Sequence, residues 1–167
     1  MGIKEYEQTL AFPLKKATVL LLLKDSKILL AMKKRGFGMG KWNGVGGKPD
    51  VDEDIVATAV RESQEEIGVT PLNPCKVALF KYYFPHDNFG MQVWIFTAVE
   101  WNGEPTETEE MRPLWFNHKD IPYDQMWSDD EVWMPEILAG KLLSGSFMFD
   151  KEGKILDYYI EEVESIE

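Results

Sequence analysis

The sequence predicts an α/β fold in which one mixed β-sheet is sandwiched between helices, an α/β/α arrangement. Three observations lead there. Apolar runs of strand length recur along the chain, two longer segments carry helical signals, and strands fall between those two helices. Size agrees: 167 residues supply one respectable core and are too few for two comfortable ones. We expect one domain over residues 15–167, preceded by an N-terminal arm, residues 1–14, that lacks clear periodicity.

The elements follow in order. Ala17–Leu23 and Lys27–Met32 flank Lys24-Asp25-Ser26 and read as two strands of a hairpin. From Gly36 to Gly47 come six glycines, so this stretch is a long loop able to approach other backbone closely. A helix comes next, with Asp50 or Asp52 as candidate cap and Ile55, Val56, Ala59 and Val60 as its apolar stripe. Gly68 ends it. Val77–Phe84 and Met91–Glu100 read as strands around a turn at Pro85–Gly90, followed by an acidic loop, Glu100–Glu110. Met111–Phe116 is a short strand and Ile121–Met126 a turn or short helix. The pattern then predicts a second full helix over Asp129–Leu143, with Ile137, Leu138 and Leu142 inward. Phe147–Asp150 and Ile155–Ile160 close the chain as a hairpin around Lys151-Glu152-Gly153.

Composition narrows the partners. A net charge of −11 argues against a nucleic acid polymer, whose binding replaces condensed counterions with Lys and Arg. A nucleotide remains open, because a bound cation neutralises protein carboxylates and phosphates together. Six tryptophans suit an aromatic-lined site. The single cysteine, Cys75, excludes an intrachain disulfide and suits a reducing compartment. The longest apolar run, Ala17–Leu23, is too short to cross a bilayer, and no small-residue cleavage site follows it. The expectation is a cytoplasmic monomer with no membrane partner.

Glu62, Glu65 and Glu66 stand where the first main helix nears its end. At about 100° per residue they share an arc of roughly 100°. Like charges that close repel, so they need either water or a counter-ion. Hard Mg²⁺ takes carboxylate oxygens and bridges to substrate phosphates. A solvated acidic face is the plainer alternative. The wider spacing favours the metal: Gly47-x5-Glu53-x7-Arg61-Glu62-Ser63-x-Glu65-Glu66-x-Gly68-Val69 fills every charged and glycine position of G-x5-E-x7-R-E-U-x-E-E-x-G-U, where U is a bulky aliphatic. This segment closely resembles the Nudix box. One position departs, because Ser63 stands where the family usually has Ile, Leu or Val; that bears on packing under the helix and leaves the charged positions intact.

The likeness extends beyond the box. MKKRGFGMGKWNGVGGK (32–48), EEMRPLWF (109–116), IPYDQMWSDDEVWMP (121–135) and ILDYYIEEV (155–163) resemble Nudix enzymes of the oxidised purine nucleoside triphosphatase type. That resemblance implies a Nudix fold and a metal site built from Glu62, Glu66, the Gly46 carbonyl and Glu110. Glu65 is a further ligand or a neighbour of the ligands. Mg²⁺ is the implied cofactor, with Mn²⁺ as a substitute. Arg61 and Glu53 are expected to pair and hold loop and helix in register. Water attack at the β-phosphorus would give monophosphate and pyrophosphate, with Glu62 or Glu110 as general base and Lys33 as a phosphate contact.

For the base, Asn43, Asp129 and Asp130 match the residues that hydrogen-bond the purine edge. Trp127, Phe37 and Met91 match its apolar walls, with Trp133, Phe84, Tyr82 and Thr18 nearby. Two neighbouring buried carboxylates do not both ionise easily, so the pair can offer a donor and an acceptor. They also suit the N-terminal cap of the second helix. The implied function is Mg²⁺-dependent hydrolysis of oxidised purine nucleoside triphosphates of the 8-oxo-dGTP and 2-hydroxy-dATP type, sanitising the nucleotide pool. Two alternatives stand beside it. One is a broader nucleotide or dinucleotide pyrophosphatase, in which the Tyr82 hydroxyl alters which bases fit. The other is a non-catalytic nucleotide-binding regulatory module, against which the intact box carboxylates count.

Overall fold

A computed structural model describes residues 1–167. Leu20, Leu21 and Leu22 are all fully buried, so strand β1 (Lys15–Lys24) is covered on both pleat faces. That requires a layer on each side. The main sheet is eight-stranded and runs β10 (Ile155–Val163), β9 (Leu142–Phe149), β5 (Cys75–Phe84), β6 (Phe89–Ala98), β1, β2 (Lys27–Lys33), β3 (Trp42–Asn43), with β8 (Met111–Asn117) also on β2. It is mixed: β1 runs parallel to β6 and β5 parallel to β9, while the other neighbours are antiparallel. A separate pair joins β4 (Thr70–Leu72) to β7 (Glu100–Asn102).

On one face, Trp133, Met134 and Ile137 of helix α3 (Asp130–Leu138) pack with Leu21, Leu30, Phe80, Ile95 and Phe147. On the other, Ala59 and Ile67 of helix α2 (Ile55–Ile67) pack with Leu20, Leu22, Leu29 and Phe96. Each cluster removes its side chains from water at about 25 cal/mol per Å² of apolar surface, the main term holding the layers together. No helix is long and apolar enough to cross a membrane.

Several boundaries differ from the sequence expectation. Residues Ile3–Gln8, expected without periodic structure, form helix α1, whose Ile3 is buried with Tyr83 and Met148 on the α2 side of the sheet. Its Glu7 accepts hydrogen bonds from the hydroxyls of Tyr83, Ser146 and Tyr159. These are long-range contacts with no local signature.

Helix α3 ends at Leu138, not Leu143. Gly140 turns the chain at φ 93°, and Leu143 then pairs with Ala78 as the start of the β5–β9 ladder. Sheet pairing overrides the helical spacing of Ile137, Leu138 and Leu142. The cap of α2 is Asp54, neither Asp50 nor Asp52; Asp52 sits at φ 62°, outside the extended region a cap residue adopts. Ser63 is fully buried, and its hydroxyl donates to the Ala59 carbonyl at 2.8 Å, so the departure from an aliphatic leaves no unpaired polar group.

Candidate active site

One cavity of about 580 Å³ gathers nearly all the candidate residues. The glycine loop and α2 build its acidic wall. Residues 44–47 zip against β1: Leu20 N–H donates to the Val45 carbonyl at 2.6 Å, Val45 N–H to the Leu20 carbonyl at 3.1 Å, and Thr18 N–H to the Gly47 carbonyl at 2.9 Å. Only glycine permits this approach at 46, where the clash is with backbone; at 47 it is with the movable end of a side chain. A Cβ on Gly46 would lie 1.8 Å from the Thr18 carbonyl oxygen, and one on Gly47 would lie 2.4 Å from the Glu62 carboxyl carbon. The Gly46 carbonyl, facing away from β1, accepts no backbone hydrogen bond.

Arg61 locks this loop to the helix. Its Nε and Nη2 grip both oxygens of Glu53 at 2.8 and 2.9 Å, while Nη2 also donates to the Lys48 carbonyl at 3.0 Å. Nη1 reaches Glu62 at 2.8 Å and Glu65 at 3.1 Å. Glu53 is thereby held down at about 2, first by the Arg61 hydrogen bonds and next by the Asp50 N–H. The bidentate geometry suits Arg and would be lost with Lys.

The other glutamates divide. Glu66 is buried and accepts the Gly46 N–H at 2.7 Å, yet burial pushes it up to about 7, with the Glu62 charge adding to the rise. Glu62, 17% exposed, is also raised, by burial ahead of the opposing Arg61 contact. Glu110 is 47% exposed and pairs with Arg35 at 3.0 Å. Its loop is fastened to α2 through Thr108, whose hydroxyl donates to the Glu66 carbonyl at 2.8 Å. Glu65 lies outside the cavity lining, 58% exposed, against Arg61. In this arrangement no three acidic side chains are drawn together closely enough to hold an ion. The donor set is all oxygen and partly buried, which fits a hard divalent cation.

Glu66 makes stability depend on pH. Its folded pKa lies above the ordinary 4.5, so between about pH 4.5 and 7 the folded state keeps a proton that the unfolded chain has released. The metal-free protein is therefore expected to be most stable at the acid end of that window and to lose on the order of 3 kcal/mol across it as pH rises. Thermal melts in chelator from pH 5 to 8 check this. A flat or rising melting temperature would contradict the burial cost assigned to Glu66.

The rest of the cavity is aromatic. Phe37 lies 5.3 Å from Trp127, Phe84 stacks on Phe149 at 5.2 Å, and Lys41 sits 5.2 Å over the Trp127 ring. Phe37, 58% exposed, keeps one face to solvent. Thr18, Lys33, Asn43, Tyr82, Met91, Trp133, Asp129 and Asp130 complete the lining named from sequence. Thr18 exchanges 3.3 Å contacts with the Gly47 backbone, and Asn43 Oδ1 takes the Gly44 N–H at 2.8 Å. Asp129 holds the cap position of α3 but makes no side-chain capping bond, contrary to the cap expectation. Its Oδ2 accepts instead from Tyr82 and Trp133. Burial raises both carboxyls, Asp130 the further because the Asp129 charge adds to its desolvation.

Sequence reading missed Lys41, Lys48, Phe89 and Phe149. Phe149 enters only because β9 lies beside β5. Lys41 had a signal in its place just before Trp42-Asn43, midway along the glycine loop.

A glycine-clamped acidic loop and helix beside an aromatic slot, on a mixed sheet between helices, define a Nudix-type hydrolase centre. The NUDIX domain profile matches residues 13–137, and the chain belongs to that family. It is 43% identical over 155 residues to the oxidized purine nucleoside triphosphate hydrolase of Danio rerio, spanning 93% of this chain and 99% of that one. The mouse enzyme of the same name is also 43% identical, over 148 residues, with 89% and 95% covered. Among solved structures, a MutT protein from Bacillus halodurans superposes with a TM-score of 0.79 at 26% identity, covering 89% of this chain and 98% of its own.

Proposed function

We propose that this protein hydrolyses oxidised purine nucleoside triphosphates, of the 8-oxo-dGTP and 2-hydroxy-dATP type, to the monophosphate and pyrophosphate, clearing them from the nucleotide pool of the cytoplasm. The observation that carries this reading is a single cavity lined both by a base-sized aromatic slot ending in Asp129 and Asp130 and by Glu62, Glu66 and Glu110. The printed names of the fish and mouse relatives support it. Free nucleotide, not polymer, suits a chain of net charge −11.

Glu62, Glu66, Glu110 and the Gly46 carbonyl would hold Mg²⁺, with Mn²⁺ as a substitute, and Glu65 would shape the field beside them. The cation, when bound, offsets triphosphate charge and makes the phosphorus easier to attack. The chain's own residues do the remainder. Arg61 and Glu53 keep loop and helix at fixed spacing, and the Gly46 N–H fixes the rotamer of Glu66. Lys33 and Lys48, both lining the cavity, add positive charge for phosphate oxygens. Glu62, less exposed than Glu110 and with a raised affinity for protons, is the better placed to take the proton from the attacking water.

Initial rates of pyrophosphate release from 8-oxo-dGTP, 2-hydroxy-dATP and dGTP with Mg²⁺ provide the test. We expect at least one oxidised base to exceed dGTP in kcat/KM by about tenfold or more. Equal efficiency on dGTP and both oxidised bases would end the sanitising role.

A further inference from the structure

At the base end of the cavity three buried side chains make an arrangement that the phosphate chemistry does not use. Asp129 Oδ2 accepts two hydrogen bonds at once, from the Tyr82 hydroxyl at 2.8 Å and from the Trp133 indole N–H at 2.7 Å. The indole can only donate. The Tyr82 hydroxyl carries one proton, and Asp129 is the one acceptor it meets. That oxygen is thus occupied by donors on two sides, which favours the ionised form of Asp129 and leaves only its Oδ1 open to a proton.

Asp130 differs. Its Oδ2 is buried and has no partner anywhere in the protein. An ionised oxygen left so, next to a second negative charge, is the most expensive state available to the pair. Besides Asp129, the charged or titratable groups felt at Asp130 are Lys41, Tyr82 and Tyr123, none of which hydrogen-bonds it; the Trp127 backbone is its one hydrogen-bonding influence. A proton on Asp130 removes the cost and leaves a free O–H for a ligand.

We propose that the Tyr82 hydroxyl is a specificity-positioning group: by donating to Asp129 it favours the ionised, accepting form of that carboxylate and so shifts donation to Asp130, and the cavity presents a preferred order of acceptor and donor to a purine edge. This rests on the base-binding reading above and deepens it. Guanine-type bases read acceptor, donor, donor from O6 through the ring N–H to the amino group. Keto 2-hydroxyadenine reads donor, donor, acceptor in the same direction. A fixed pair favours one order; a pair free to exchange its proton takes both.

The test compares parent and Tyr82→Phe with 8-oxo-dGTP and 2-hydroxy-dATP under identical metal conditions. The parent should prefer one substrate. The variant should compress the ratio of the two kcat/KM values about tenfold, mainly through KM, as expected for loss of one buried hydrogen bond to a charged group. A folded variant that keeps the parental ratio within about twofold overturns the inference.

Infrared difference spectra of ¹³C-aspartate-labelled protein without nucleotide or metal give a readout independent of turnover. The parent should show a protonated carboxyl at neutral pH that Asp130→Asn removes and Tyr82→Phe shifts or splits. A parent lacking that band sinks the inference even with normal hydrolysis. A parent with the band that cleaves neither nucleotide sinks the proposed function and leaves the proton arrangement standing.

Discussion

Replacing Glu66 by glutamine is expected to cut pyrophosphate release by about 10²–10³-fold while raising the melting temperature of the metal-free protein at pH 8. The two effects have opposite signs for one reason. Glu66 is buried, and at pH 8, above its raised pKa of about 7, its charge is present at the desolvation cost that raised it. Glutamine keeps an oxygen to accept the Gly46 N–H but carries no charge. The gain is expected to be roughly 5 °C, since each kcal/mol moves a domain of this size by about 2–4 °C and the new amide N–H groups need partners that take back part of it. The pH dependence between 5 and 7 should flatten in the same variant. Unchanged turnover, or a melting temperature below the parent's in chelator, would show that Glu66 is a structural carboxylate of another kind.

Gly46→Ala is expected to destabilise by about 3–5 kcal/mol and to lower the melting temperature by roughly 10 °C. A methyl group there meets the Thr18 carbonyl oxygen at 1.8 Å and its carbon at 2.5 Å, both backbone atoms of a central strand. Neither can step aside without breaking the ladder from β1 to β6, so the loop must unzip from β1. Unzipping also withdraws the N–H that holds Glu66, and turnover should fall with stability. Gly40→Ala is the control. A Cβ at Gly40 meets nothing within 4 Å, although φ is 85°, so only dihedral strain of about 1–2 kcal/mol is expected. Equal costs at the two positions would show that backbone conformation, not close approach, governs the loop.

Much of the acidic wall was legible because its information is local. Glu53 lies just before helix α2 and Arg61 about two turns into it, and the two side chains meet in a bidentate grip. Glu62 and Glu66 share a helix face by geometry alone. Glu65 sits on the same arc, yet the structure turns it out to Arg61 and water, because 60° of rotation is enough to leave a cavity. The aromatic slot was named through the resemblance, and Phe149 escaped because its place depends on β9 lying beside β5. For Asp129 the local signal misled. It precedes a helix as a cap should, but two buried donors compete for its carboxylate and hold it.

By itself the sequence determined the α/β class, the central strands, helix α2 with its glycine stop, and the acidic spacing that sets a family. Periodicity, charge spacing and glycine placement act over a few residues, and they survive in a linear string. Tertiary structure alone decided that α1 docks, that α3 stops at Leu138 and that residues 142–149 join the sheet. It also decided which carboxylates face the cavity and which oxygen of the Asp129–Asp130 pair is left without a partner. Those outcomes turn on desolvation and on hydrogen bonds between residues far apart in the chain, which no local pattern encodes.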